Sequence, residues 1–141
     1  MEELNNKVRY IANNGGREQV TIAKGIVSFA SGSIKLFIET GGTYYAEDVW
    51  IPLSNGDCNL AGTWGVDPPE ALCVKSGKIG SSYQTTYELR YRVLGAGSKQ
   101  YQISLEGPMA SGGEGNTIII ENTGSSIEGN LIKTHISIKI L

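Results

Sequence analysis

Thr85-Thr86-Tyr87-Glu88-Leu89-Arg90-Tyr91-Arg92-Val93-Leu94 is the stretch on which the fold turns. Tyr87, Leu89, Tyr91 and Val93 fall on one side of a two-residue period, and Glu88, Arg90 and Arg92 fall on the other. Successive side chains of a strand point to opposite faces. The stretch therefore predicts a half-buried strand, dry on the tyrosine side and wet on the side of the charges. After Gly95-Ala96-Gly97-Ser98, a short glycine-containing loop, the pattern returns: Tyr101, Ile103 and Leu105 alternate with Gln100, Gln102, Ser104 and Glu106. Two such runs around such a loop predict a hairpin.

The same period extends outward in both directions. Toward the C-terminus, Thr117 to Glu121 is a short apolar strand, and Asn122 to Ser126 is a turn cluster. Ile132, Thr134, Ile136, Ile138 and Ile140 then face one way, with Lys133, His135, Ser137 and Lys139 facing the other. Toward the N-terminus, Gln19 to Ala23 and Ile26 to Ala30 read as strands split by Lys24-Gly25. Ile34, Leu36 and Ile38 alternate with Lys35, Phe37 and Glu39, and Gly41-Gly42 turns the chain into Thr43 to Ile51. No segment carries a sustained helical period; Pro68-Pro69-Glu70-Ala71-Leu72 has room for one helical turn. Turn signals at this spacing predict an all-β chain, a single antiparallel β-sandwich or jelly roll over residues 1–141 with about eight to ten strands. Nineteen glycines in 141 residues, with no collagen period, supply the turns. Residues 54 to 69 form the one long irregular stretch, and such loops are functional or disordered.

Charge and composition remove several classes of function. Twelve Lys and Arg stand against fourteen Asp and Glu, and the basic residues are scattered. A nucleic-acid partner needs a clustered basic face, so none is expected. No apolar run is long enough for a transmembrane helix. The residues from Met1 to Lys7 contain no signal-peptide core. Either the protein stays inside a cell, or a signal preceded this numbering.

Catalytic and metal-binding patterns are not found. His135 is the one histidine, and it sits among Lys133, Ser137 and Lys139 on the polar side of the last strand. It reads as a solvated surface residue, with no Gly-x-Ser-x-Gly elbow to enlist it. The glycine runs at 95–99 and 112–116 precede strands, whereas a phosphate loop needs a helix N-terminus after it. Asn55, Asp57, Asn59 and Asp67 offer hard oxygens without the calcium-loop spacing. The chain is expected to be no enzyme, with no cofactor and no metal. Cys58 and Cys73 lie fifteen residues apart in sequence. They read equally as a disulfide or as two buried thiols.

Two functions remain. One is a structural assembly subunit of a virion (capsid, decoration or tail protein) or of a surface filament. Its partners would be copies of itself or other structural subunits, and its place the virion or the extracellular surface. Low charge, conformable glycine loops and the apolar last strand motivate it. In this reading Ile132, Ile136, Ile138 and Ile140 pair across a subunit boundary or sit inside the protein's own sheet. The alternative is a carbohydrate-binding module or lectin, with a glycan as partner. It rests on Tyr44, Tyr45, Trp50 and Trp64, a cluster holding both tryptophans of the chain. Aromatic rings in loops stack on sugars, although Trp50 and Trp64 would serve a core equally well.

Overall fold

The alternating segments become the strands of two facing sheets in a computed structural model that describes residues 1–43, 45–53 and 57–141. A helix, α1 (Glu2–Asn14), precedes β1 (Arg17–Thr21), β2 (Ile26–Ala30) and β3 (Ser33–Thr40). Two short strands follow, β4 (Ile51–Pro52) and β5 (Ala61–Thr63), and then the long pair β6 (Glu70–Ile79) and β7 (Ser82–Tyr91). The chain continues as β8 (Val93–Ala96), β9 (Lys99–Glu106), β10 (Ala110–Gly112), β11 (Thr117–Glu128) and β12 (Leu131–Ile140).

The first sheet has the order β1-β11-β12-β9-β8-β5, and the second β10-β2-β3-β7-β6-β4. This is the expected all-β sandwich, with twelve strands among the described residues because several short ones escape an alternation count. Most neighbours are antiparallel; β9–β12 and β5–β8 are parallel. Val27, Phe29, Ile34, Leu72 and Leu89 of the second sheet meet Leu105, Ile118, Ile120, Ile136 and Ile138 of the first in one core.

The chain changes sheets within the alternating stretch Thr85 to Leu94. Strand β7 ends at Tyr91 in the second sheet, and β8 begins at Val93 in the first. Arg92 is the corner, its N–H donating to the Pro69 carbonyl at 2.9 Å. The corner reverses the alternation, so Leu94 is buried rather than Val93. Arg92, expected on the wet face, is only 2% exposed.

The N-terminal helix corrects the expectation of no helix. Leu4, Val8 and Ile11, spaced along one face, are buried in the core between the sheets. Such a spacing is what an amphipathic helix needs. Glu2 and Glu3 in the first turn complement the helix dipole. The helix ends at Gly15, whose φ of 76° suits glycine and whose N–H caps the Ile11 carbonyl at 2.8 Å. Further on, Glu70 to Leu72 belong to β6, not to a helical turn. Of the extended run expected from Thr43 to Ile51, the described residues keep only an isolated bridge at Glu47 and the start of β4.

The last strand is central. β12 pairs with β11 along one edge and with β9 along the other. Ile136 and Ile138 are buried in the core, and Ile140 packs against it. This corrects the pairing of Ile132, Ile136, Ile138 and Ile140 across a subunit boundary, because β11 takes one backbone edge from Leu131 to Ile140 and β9 the other from Leu131 to Ser137. The sheets instead end on β1, β5, β10 and β4. None of these exceeds five residues, and short edges discourage strand addition.

Candidate functional site

Residues 57–69 leave the sandwich and return, and several ties hold them. Cys58 and Cys73 form a disulfide with their Cα atoms 6.1 Å apart, anchoring the loop to β6. Arg92 reaches from its buried corner to Asp57, with Nη1 donating to Oδ1 at 2.9 Å and Nη2 to the carbonyl at 3.2 Å. The other bond of Nη2 goes to the Glu70 carbonyl at 2.7 Å. The Asp57 carboxyl is held below its ordinary range, chiefly by the Asn59 N–H and then by Arg92. Ala61–Thr63 add a parallel strand to β8, and the Trp64 N–H donates to the Gly95 carbonyl at 2.8 Å.

The segment then turns tightly. Asp67 Oδ2 accepts the Thr63 N–H at 2.7 Å, and the Asp67 N–H returns to the Thr63 carbonyl at 2.9 Å. Gly65 occupies the turn with φ at 82°, where a side chain would be strained. On this turn Trp64 is 55% exposed, and its ring stacks at a tilt on Tyr101 of β9, with centroids 4.6 Å apart.

Behind the aromatic pair lies an open cleft of about 370 Å³. Its floor is apolar: Leu94, Ile103, Ile132 and, from α1, Ala12. Arg9, Asn13, Asp67 and Thr134 bring polar groups to the same space. Arg9 is half exposed and faces Glu70 Oε1 at 3.5 Å. Helix α1 thus forms one wall of the cleft. It is held there by Tyr91, whose hydroxyl donates to Asn5 Oδ1 at 2.7 Å. Burial pushes the Tyr91 hydroxyl well above its ordinary range, and nearby Glu70 adds to this, so it stays a donor.

The aromatic residues singled out from sequence do not form one site. Trp64 walls the cleft. Trp50 is exposed elsewhere, with the Lys75 ammonium 5.9 Å from its ring centroid. Tyr45 lines a second concavity with Leu36, Leu53 and Tyr87. Tyr44 lies outside the described residues. Tyr101, which alternation groups with Ile103 and Leu105 on β9, is the ring that Trp64 meets. Nothing within the chain's local pattern signals that it meets Trp64, thirty-seven residues earlier.

A second polar cluster lies on the outer face of the first sheet. His135, expected to be solvated, has a side chain 22% exposed and is held at both ring nitrogens. Ser126 Oγ lies 2.6 Å from Nε2, and Glu106 Oε2 lies 2.5 Å from Nδ1. These groups come from three adjacent strands, so local sequence could not bring them together.

Comparison of the chain with protein-family models, with curated proteins and with solved structures finds no match. Among the described residues no helix is long and apolar enough to cross a membrane. The disulfide fits an oxidising, extracellular setting.

Proposed function

We propose that this domain is a recognition module that binds a carbohydrate in the cleft beside Trp64. The observation that carries the reading is a half-exposed tryptophan held on a pinned loop, backed by Tyr101, at the mouth of an apolar-floored cleft. A sugar ring offers C–H groups to an aromatic face and hydroxyls to polar neighbours. Trp64 supplies the face; Arg9, Asn13, Asp67 and Thr134 supply the polar contacts. The cleft lies at the small end of ligand sites, which suits one or two sugar rings. Because the loop is ordered before binding, little conformational entropy is lost on complex formation. The module binds its ligand without turning it over, in an extracellular setting.

A glycan array followed by calorimetry on the best ligand tests the reading. Trp64→Ala is expected to abolish binding while leaving the melting temperature nearly unchanged. No ligand on the array, or a ligand whose affinity ignores Trp64→Ala, overturns it.

One observation favours the second reading, a structural subunit of a virion or surface filament. Leu60, Trp64 and Val66 are all exposed on the same loop, Val66 at 78%. An apolar rim of this kind suits burial against another subunit. Light scattering on purified protein separates the two. A monomer supports the carbohydrate reading, and an oligomer dispersed by Val66→Asp supports assembly.

A further inference from the structure

The outer face of the first sheet places a hydroxyl, an imidazole and a carboxylate in line. Ser126 comes from β11, His135 from β12 and Glu106 from the end of β9. Register explains the meeting. Ser126 pairs with Lys133, two residues from His135 on the same face of β12. Ser104 pairs with His135 on the other side, and Glu106 is one step further along that face. Diagonal neighbours of this kind are within reach of long side chains. Directly opposite His135 on β11 is Gly124, brought there by a bulge between Asn122 and Gly124. With no side chain at that position, the imidazole is free to lean toward Ser126.

The hydrogen bonds give each group a role. Glu106 Oε2 also accepts from Ser104 Oγ at 2.9 Å, which holds the carboxylate in place. The His135 hydrogen bond keeps the Glu106 carboxyl below its ordinary range, so it is charged near neutrality. A charged carboxylate accepts only, so in the neutral form of the ring the proton sits on Nδ1, toward Glu106. Nε2 is then the acceptor, 2.6 Å from the Ser126 hydroxyl. That is the arrangement in which an oriented imidazole activates a serine.

We propose that Ser126 is a nucleophilic serine that accepts an acyl group from an activated ester, with His135 as general base and Glu106 as the residue that positions it. Ser126 Oγ bonds to the acyl carbon as its proton passes to His135 Nε2. The bond to the leaving oxygen then breaks, and His135 returns the proton to that oxygen. The products are an ester on Ser126 and a free alcohol. Lys133, opposite Ser126 in the ladder, is engaged by Glu128 at 3.1 Å, which leaves the serine to His135. The site stands on an open sheet surface, apart from the residues of the Trp64 cleft. It therefore suits small reactive acyl donors, and its acylation is independent of the cleft.

The experiment uses the whole chain and p-nitrophenyl acetate, with acetylated residues mapped by peptide mass spectrometry. Ser98 and Ser111, both exposed, serve as comparators within the same molecule. General-base assistance predicts acetylation of Ser126 at least about a hundredfold faster than of either. His135→Gln is expected to bring Ser126 down to the comparator rate, and Glu106→Gln to slow it by about tenfold. Circular dichroism confirms that each variant keeps its sheets. If a variant unfolds, the ratio of Ser126 to Ser98 and Ser111 in the unaltered chain decides. Acetylation of Ser126 no faster than of the comparators, or unchanged in folded His135→Gln, overturns the proposal.

Discussion

Arg92 shows how far one residue departs from the pattern around it. Arg90 and Arg92 occupy equivalent places in the alternation, yet the Arg90 side chain is 37% exposed and Arg92 is buried. The difference lies in the corner between the sheets. There the guanidinium bridges Asp57 and the Glu70 carbonyl, joining the loop to the start of β6. Asp57 is exposed and stays hydrated without its partner, whereas the Glu70 carbonyl would be left buried and unpaired. Arg92→Met keeps the apolar stem and removes these bonds, so it is expected to cost about 2–3 kcal/mol. Arg90→Met should change stability by less than about 0.5 kcal/mol, as most exposed substitutions do. Urea denaturation of the two variants side by side checks the contrast. Equal costs would mean that the corner does not depend on the guanidinium.

Elements were legible where one period ran unbroken between turn residues. β2, β9 and β12 are where alternation puts them, because each has one face on the core and one on solvent. The helix was not legible. Only three apolar residues, Leu4, Val8 and Ile11, join the polar but buried Asn5 on its inner stripe, and Asn6, Lys7 and Arg9 between them mask the spacing. Nor was the loop path, since Cys58, Asp57 and Ala61 are held by residues far along the chain. The candidate site inherits that limit: Trp64 could be named from its type, but Tyr101, Arg9 and Asn13 reach the cleft only through the tertiary fold. The position of β12 gives an element-scale test. Ile138 is packed between the sheets, so Ile138→Ala is expected to destabilise by about 2–5 kcal/mol. Its oligomeric state on size-exclusion chromatography should match that of the unaltered chain. A dissociated but equally stable variant would return the strand to an intersubunit role.

Across the whole molecule, two carboxyls tie distant parts together, and both respond to pH in the same direction. Asp57 and Glu106 are each held below their ordinary range in the folded chain. A carboxyl lowered in this way contributes stability that is complete above its unfolded value, about 4. The contribution is lost as pH falls through the lower, folded value. The melting temperature should therefore decline in acid, and the double variant Asp57→Asn/Glu106→Gln should decline less steeply; an identical slope would exclude both groups as the cause. The disulfide supplies a tie that pH does not touch. Cys73 is buried in β6, and Cys58 begins the segment that carries Trp64. Joining them closes a fifteen-residue separation, which restricts the unfolded chain and stabilises the fold by about 3 kcal/mol on the chain-entropy view. The sheets have their own core of Phe29, Ile34, Leu89, Ile120 and Ile136, none of which depends on the bridge. Cys58→Ser/Cys73→Ser should therefore keep its β-sheet circular dichroism while losing about 3 kcal/mol in urea. Its loop should loosen first, because the remaining restraints, the Arg92–Asp57 contacts, the three-residue strand β5 with the Trp64 N–H bond to Gly95, and the Trp64–Tyr101 stack, are noncovalent and at the surface. Tryptophan fluorescence follows that loosening, and Trp50→Phe in the same background isolates the signal of Trp64. A Trp64 transition at lower urea than the loss of sheet signal is the expected result. Coincident transitions would mean that loop and sandwich fold as one unit, with the bridge serving global stability rather than the placement of Trp64.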